Sequence, residues 1–249
     1  MRISTTGLIL KQQNIGEQDK LVTVLTKDAG VVRAFVRGAK NIKNPKSAAT
    51  DLLCYSKLSL YFGKEKYIID EASVEEMFFP LRKDVVKVTL AQYFCELAIH
   101  ICPCDQEAQK QLSLILNALH LLSNSDRNPE LIKTCTELRL ACLAGYMPDL
   151  VMCKDCGDYE NESMYFSLSD GSLKCSQCFS KKPSPNALEI DSGVLYALRH
   201  ICFCEDKKLF AFILSDSGLE KLSYITETYV SRVLEKDFST LHFYKTIKS

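Results

Sequence analysis

The sequence predicts an α+β multidomain protein in which a small β-barrel is followed by a helical domain with an inserted four-cysteine module. Three observations predict it. Residues 1–75 contain five short apolar or alternating segments separated by turn formers, the pattern of strands. After Arg82, apolar residues recur at helical spacing. Between the helices, four cysteines form two C-x-x-C pairs. The predicted boundaries are 1–80 for the barrel, 81–150 and 184–249 for the helical domain, and 151–183 for the cysteine module.

The five predicted strands are STTGLILKQQ, KLVTVLTK, VVRAFVRGA, LLCYSKLSLYFG and KYIIDEASV, with a turn at GKEK before the last. Five short strands in about 75 residues suit an OB-fold barrel, whose open face and loops commonly bind single-stranded nucleic acid. An SH3-like barrel has a similar strand count and stays open as an alternative.

The outward faces of two strands combine cations with aromatic rings. Alternation predicts that Arg33, Phe35 and Arg37 point outward in the third strand, and Tyr55, Lys57, Ser59 and Tyr61 in the fourth. The residues expected to point inward are Val32, Ala34 and Val36, then Leu58, Leu60 and Phe62. Single-stranded DNA is bound by such a mixture, because cations track phosphates while rings stack on bases. A solvated barrel surface with scattered charges is the alternative.

Positive charge is concentrated in one stretch, although the chain as a whole carries 31 Lys and Arg against 31 Asp and Glu. No acid occurs between Ala29 and Thr50, which contains Arg33, Arg37, Lys40, Lys43 and Lys46. Clustering of this kind is typical of a nucleic-acid-binding surface. The candidate DNA contacts are these five cations together with Phe35, Tyr55, Lys57 and Tyr61.

Capping residues predict where the helices begin and end. The first helix, within DVVKVTLAQYFCELAIHIC, is expected to end at Pro103, and the third at Gly145. DSGVLYALRHICFC is also expected to be helical. The expected N-caps of the other helices are Asp105, Asn128 (with Pro129 at the first helical position) and Ser217 (with Glu220 in a capping box).

The metal ligands predicted from spacing are Cys153, Cys156, Cys175 and Cys178. Eighteen residues separate the pairs, a spacing typical of zinc sites in which a short hairpin returns the second pair. Four thiolates would close the tetrahedron, so one structural Zn²⁺ is expected rather than a catalytic ion. Ordinary unmetallated cysteines are the alternative.

The remaining cysteines are expected to be small buried hydrophobes in a reducing cytoplasm. The N-terminus lacks a signal-peptide pattern, and no apolar run is long enough for a membrane span. Two C-x-C pairs, Cys102/Cys104 and Cys202/Cys204, are expected to be inert because neither has an obvious cationic partner. Phosphate-loop, dinucleotide, zinc-protease and hydrolase motifs are missing from the sequence, so no enzyme activity is expected.

Two long motifs resemble the RecO family of bacterial recombination mediators. GEQDKLVTVLTKDAGVVRAFVRGAKN resembles its barrel signature, and ELRLACLAGYMPDLVMCKDCG with YFSLSDGSLKCSQC resembles its helix-and-zinc-knuckle signature. The resemblance implies an OB-fold domain, a helical domain and the same four zinc ligands. It also implies binding of single- and double-stranded DNA, annealing of complementary strands, and work with RecR to load RecA onto strands coated by single-strand-binding protein, whose C-terminal tail would bind the helical domain.

Two other functions remain open. A protein-interaction adaptor with a structural zinc and no DNA affinity would suit the zero net charge. A zinc or thiol enzyme is suggested only by the twelve cysteines, and four-thiolate ligation argues against it.

Overall fold

The structure, a computed structural model, describes residues 2–63, 66–159, 161 and 163–248. Contacts divide the chain into one unit formed by Met1–Asp126 with Phe238–Ser249 and a second formed by Arg127–Asp237. The boundaries predicted from motifs stay a prediction. None of the helices within the described ranges has the length and apolar character needed to cross a membrane.

The first unit contains a closed five-stranded barrel, as predicted. Its strands are β1 (Arg2–Ile15), β2 (Asp19–Thr26), β3 (Gly30–Val36), β4 (Tyr55–Gly63) and β5 (Lys66–Glu76). They follow the order β1-β2-β3-β5-β4, and β4 pairs with β1 to close the barrel. All neighbours are antiparallel except β3 and β5. The predicted OB-like fold is confirmed; the predicted GKEK turn includes Lys64 and Glu65, which lie outside the described residues.

Alternation places the barrel core correctly with one exception. Val32, Ala34 and Val36 of β3, and Leu58 and Leu60 of β4, are buried among the core residues. Phe62 was expected to face inward but is 44% exposed. It lies near the end of β4, where its ring contacts the Tyr67 ring at 4.8 Å between centroids instead of the core.

The described residues form eight α-helices, of which the first lies between β3 and β4: α1 (Lys46–Ala49), α2 (Val85–Ile101), α3 (Gln109–Asn124), α4 (Pro129–Leu143), α5 (Ser176–Lys181), α6 (Ser192–Phe203), α7 (Asp216–Val233) and α8 (Ser239–Lys248). The predicted cap of α4 is confirmed, because Asn128 Oδ1 accepts a hydrogen bond from Glu130 N at 2.9 Å. Two predicted caps are wrong. Asp105 has φ +55 and α3 begins later, after Ala108, while α7 is capped by Ser215, not Ser217.

A glycine lets the connection between α2 and α3 approach the barrel closely. Gly30 has φ +62, and a Cβ placed there would lie 2.0 Å from Pro103 O. The next amide, Val31 N, donates to the same Pro103 O at 2.8 Å. Ala108 N donates to Lys27 O at 2.9 Å. The turn between β2 and β3 therefore holds this connection by backbone hydrogen bonds, and only glycine fits the closest point.

In the second unit α4 packs against α6 and α7, and a four-stranded sheet follows α4 in the chain. The strands are β6 (Asp149–Cys153), β7 (Met164–Ser167), β8 (Ser172–Cys175) and β9 (Ala187–Ile190), in the order β6-β8-β7-β9. Every residue of α4 from Glu130 to Ala141 is buried, although several are charged. Gly145 follows the helix with φ +93, so the predicted stop is confirmed, and the chain then enters β6.

Candidate metal centre and nucleic-acid interface

Four cysteine sulfurs meet at one end of the small sheet. The Sγ atoms of Cys153, Cys156, Cys175 and Cys178 all lie within 4.8 Å of one another. Cys153 ends β6, Cys175 ends β8, and Cys178 lies in the short helix α5 that follows. Both strands are adjacent in the sheet, so their ends deliver one cysteine from each predicted pair to the same place.

The first C-x-x-C pair is shaped by a tight backbone turn. Cys153 N donates to Asp158 O at 2.7 Å, and Gly157 N donates to Cys153 O at 2.9 Å. Gly157 has φ +78, the left-handed conformation that glycine adopts without strain. The turn folds Cys156 back over Cys153, as the spacing predicted.

The geometry fits a tetrahedral thiolate-bound ion. With Zn–S bonds of about 2.3 Å, tetrahedral ligation places neighbouring sulfurs about 3.8 Å apart, and the Sγ atoms of Cys156 and Cys175 lie 3.6 Å apart. Burial opposes ionisation of Cys153, but backbone N–H groups of the turn and of Cys175 lower its pKa to about 6. The neighbouring thiols raise the pKa of Cys178 to about 12. One thiolate forms readily, and a bound cation would supply the charge that ionises the others.

Arg199 supports the candidate metal centre from α6. Its guanidinium donates to the carbonyl oxygens of Leu150, Val151 and Tyr159 at 2.8, 3.0 and 2.8 Å. The same group lies 4.1 Å from the centroid of the Tyr159 ring. It thereby ties β6 to the segment beyond the first cysteine pair. Sequence analysis missed this residue, because nothing in the helical pattern of α6 identifies its distant carbonyl partners.

The predicted DNA contacts lie in four places on the barrel and its basic loop. Arg37, Lys46 and Tyr61 line one open depression of about 320 Å³, which also contains Arg2 and Asp70. Strand register explains why Arg2 and Tyr61 share this depression. Phe35 of β3 pairs with Ile68 of β5, Ile68 pairs with Tyr61 of β4, and Tyr61 pairs with Arg2 of β1. These pairs continue one row of side chains around the barrel. The Arg2 guanidinium lies 3.1 Å from the Asp70 carboxylate, so its charge is partly balanced.

The remaining contacts lie elsewhere. Arg33 lines a second cavity, of about 850 Å³, with Lys11 and Tyr67. Lys57 lies 3.0 Å from the Glu75 carboxylate, and half-buried Tyr55 pairs with Glu76 across the sheet. The structure thus separates Tyr55 and Lys57 from the other predicted contacts and surrounds them with acids.

The basic loop between β3 and β4 is held in one conformation by polar contacts. Asn44 Nδ2 donates to Gly38 O at 3.0 Å, and Asn44 Oδ1 accepts from Lys46 N at 3.0 Å. Gly38 N donates to Asp19 Oδ1 at 2.8 Å. Lys40 binds the turn between β1 and β2 through its Nζ, which donates to Gly16 O at 3.2 Å. Lys43 is exposed on the same loop. Asn44 was not predicted, although the Asn-Pro pair it forms is a turn signal.

Comparison with known proteins identifies the family. Residues 1–78 match the family described as Recombination protein O N terminal, and residues 82–242 match Recombination protein O C terminal. The chain belongs to the RecO family. The resemblance of its two sequence motifs is therefore confirmed, and the matched regions correspond to the barrel and to the helices with the cysteine cluster.

Curated RecO proteins match this chain along almost its whole length. The DNA repair protein RecO of Acetivibrio thermocellus is 34% identical over 245 residues, covering 98% of this chain and 97% of that protein. That of Caldicellulosiruptor bescii is 30% identical over 246 residues, covering 99% of each. That of Symbiobacterium thermophilum is 28% identical over 246 residues, with 98% and 96% covered. This chain is thus a RecO-family DNA repair protein.

Proposed function

We propose that this RecO-family chain binds DNA at the basic end of its barrel and anneals complementary single strands without catalysing a covalent reaction. The observation that carries the proposal is the depression in which Arg2, Arg37 and Lys46 surround the exposed Tyr61 ring. Cations beside an accessible ring suit a flexible strand, because each cation meets a phosphate while the ring stacks on a base. Annealing then follows from holding one strand with its pairing edges accessible.

Preorganisation of the basic loop supports the same proposal. The hydrogen bonds of Asn44 and Asp19 hold the loop backbone, so Lys40, Lys43 and Lys46 are presented without a large ordering cost on binding. Arg33 and Phe35 would extend the surface along β3. Lys57 and Tyr55 are the weakest members of the predicted set, because neighbouring carboxylates compete with phosphate for the lysine.

Salt-dependent binding of labelled single-stranded DNA tests the proposal. Each phosphate contact contributes about 0.7 to the slope of log affinity against log salt concentration. Arg37→Ala/Lys46→Ala should weaken binding and reduce the slope by about 1.4, and Tyr61→Ala should weaken it by about 1–3 kcal/mol with an unchanged slope. Lys57→Ala is the matched control, since its charge is already paired with Glu75. Equal losses in the control and the double variant would contradict the proposed surface.

We further propose that the four-cysteine cluster holds one structural Zn²⁺. The sulfur distances and the closed set of four thiols support a zinc that fixes the fold and has no position for substrate. Elemental analysis of freshly purified, reduced protein should find one zinc per chain. A metal-free, folded protein would disprove this.

The partners we propose are RecR, the C-terminal tail of single-strand-binding protein and, indirectly, RecA, all in the bacterial cytoplasm at sites of repair on the nucleoid. Membership in the RecO family supports them, and no residues are assigned to the tail. The test is loading of RecA onto single-stranded DNA coated with single-strand-binding protein. Loading should require this chain together with RecR, and equal loading without the chain would contradict the mediator role.

A protein-interaction adaptor is the second candidate. The zero net charge and the pairing of Arg2 with Asp70 and Lys57 with Glu75 favour it. It predicts association with RecR but no binding of bare DNA even at low salt. The salt-dependent binding of labelled single-stranded DNA therefore distinguishes the two functions directly.

A further inference from the structure

Three cysteines outside the metal cluster meet at the ends of two helices. Cys142 lies in the last turn of α4, Cys202 lies in the last turn of α6, and Cys204 follows α6. The sulfurs of Cys142 and Cys202 are 3.6 Å apart. Arg139 Nη2 lies 3.1 Å from Cys204 Sγ. The expectation that Cys202/Cys204 lacks a cationic partner is therefore wrong, because an arginine 65 positions away in the sequence supplies it.

We propose that Cys142 and Cys202 form a reversible intramolecular disulfide when the protein meets a peroxide. A disulfide bond is about 2.05 Å long, so the two sulfurs need to approach by only about 1.6 Å. Their surroundings differ in a useful way. Cys142 is half-buried and reachable, whereas Cys202 is 3% exposed. Peroxide can therefore reach the Cys142 thiol, while the buried Cys202 thiol lies close enough to react with the oxidised Cys142.

Electrostatics favours Cys142 as the thiol that reacts first. Hydrogen bonding with Cys202 and the positive charge of Arg139 lower the pKa of Cys142 below its ordinary value, against the opposing effect of burial. Hydrogen bonding with Cys142, together with burial, raises the pKa of Cys202. The thiolate is the nucleophile in thiol chemistry, so the pair has one attacking and one resolving member.

The reaction balances with the peroxide as the two-electron oxidant. The Cys142 thiolate attacks one peroxide oxygen, the O–O bond breaks, and the leaving oxygen departs as an alcohol or water after taking a proton. Cys142 is then a sulfenic acid. The Cys202 sulfur attacks the Cys142 sulfur, the S–O bond breaks, and the hydroxyl leaves as water with the Cys202 proton. Two thiols are oxidised and one peroxide is reduced. Two equivalents of a cellular thiol then reduce the disulfide by exchange, through a mixed disulfide, and are themselves oxidised to a disulfide.

The bond would hold the base of the metal module. Cys142 and Cys202 are 60 positions apart, and the segment between them contains strands β6 to β9 and the whole four-cysteine cluster. Joining α4 to α6 would keep this segment closed even when oxidation weakens the metal thiolates. A transient disulfide of this kind is the form expected in a reducing compartment.

Peptide mapping of the full-length, metal-loaded protein tests the proposal. After one equivalent of hydrogen peroxide, alkylation and non-reducing digestion, a peptide pair joined through Cys142 and Cys202 should appear, lighter by two hydrogens, and should disappear with dithiothreitol. Exposed Cys104 is the internal control and should be alkylated as a free thiol. Cys142→Ser should abolish the linked pair and leave Cys202 reduced.

Two results would overturn the proposal. One is recovery of Cys142 as a free thiol under conditions that already oxidise Cys104. The other is a bond from Cys202 to Cys204 or to a cysteine of the metal cluster. The mapping uses the wild-type chain, so it gives an answer even if Cys142→Ser fails to fold.

Discussion

Replacement of the buried lysine in α4 should destabilise the second unit strongly. Lys133 is fully buried, and its Nζ lies 3.2 Å from Glu137, 3.4 Å from Glu130 and 3.4 Å from Glu227 on α7. Ser223 Oγ accepts a further hydrogen bond at 3.1 Å. The ammonium thus joins two helices through carboxylates. Lys133→Met keeps the apolar stem and removes only the charge.

The size of the effect follows from these distances. At an effective dielectric constant of about 20, each pair is worth about 5 kcal/mol of Coulomb attraction, and desolvation of the buried groups offsets most of the total. Without the lysine, buried Glu137 loses its ion-pair partner and lies near two other carboxylates. Leaving a buried charge in this way costs about 3–5 kcal/mol, or about 10²–10⁴ in the opening equilibrium.

Hydrogen exchange followed by mass spectrometry measures this equilibrium locally. Amides of α4 and α7 should exchange about 10²–10⁴ times faster in Lys133→Met, whereas exposed Lys207→Met, in the same unit, should leave them unchanged. Adding Glu137→Gln should recover part of the loss, since it removes the buried charge that lacks its cation. Unchanged protection in Lys133→Met, or strictly additive effects in the double variant, would refute the reasoning.

Three further predictions concern other parts of the chain. Gly30→Ala should lower the melting temperature more than Gly16→Ala. Both glycines have positive φ, so both substitutions share a backbone cost of about 1–2 kcal/mol, but only a Cβ at position 30 would meet a carbonyl oxygen, at 2.0 Å. Equal shifts in melting temperature would contradict the close approach at Gly30. Cys175→Ser, or treatment with a chelator, should remove the proposed zinc and expose residues 149–190 to protease. Unchanged cleavage would contradict a role of that zinc in holding the fold. Partial burial of Asp170 favours its protonated form, but hydrogen bonds from Lys154 and two serine hydroxyls outweigh burial and lower the pKa of Asp170 well below its usual range. That carboxylate therefore stabilises the fold above about pH 4 and loses its effect as the pH falls through the lower folded pKa, so acid titration of the melting temperature should be shallower in Asp170→Asn.

The barrel was predictable because its information is local. Period-two alternation identifies the inner and outer faces of β3 without any knowledge of partners. Prediction of burial and of helix boundaries failed where a contact between residues distant in sequence determines the conformation. Phe62 leaves the core to contact Tyr67. Helix α8 was missed, because the helix expected to begin at Ser217 was taken as the last one. Helix α8 is positioned by tertiary packing on α2, and the Phe238 ring just before it lies 5.6 Å from the Tyr93 ring of α2 between centroids.

The functional residues divide in the same way. Four cysteines at fixed spacing identify their own cluster, because each C-x-x-C turn is local and the return of the second pair needs only a short hairpin. Arg199 and Arg139 could not be assigned from sequence, since they bind carbonyls or sulfurs 40 or more positions away. Lys57 lies on an outward face, as alternation predicted, but its ion-pair partner Glu75 comes from the neighbouring strand and could not be assigned from the sequence of β4 alone.

Net charge describes the proposed DNA-binding surface poorly, because it also counts charges that a DNA strand would not meet. Lys133 and Glu137 neutralise each other in the interior, and Lys57 is paired with Glu75 on the surface. The charges that a DNA strand would meet are those of the ordered loop, with Arg37, Lys40 and Lys43 exposed. Adding Lys46, Arg33 and Arg2 gives up to six such contacts, which predict a slope of at most about 4 in log affinity against log salt. A much steeper slope would require cations beyond the barrel, and the proposed surface would then be too small.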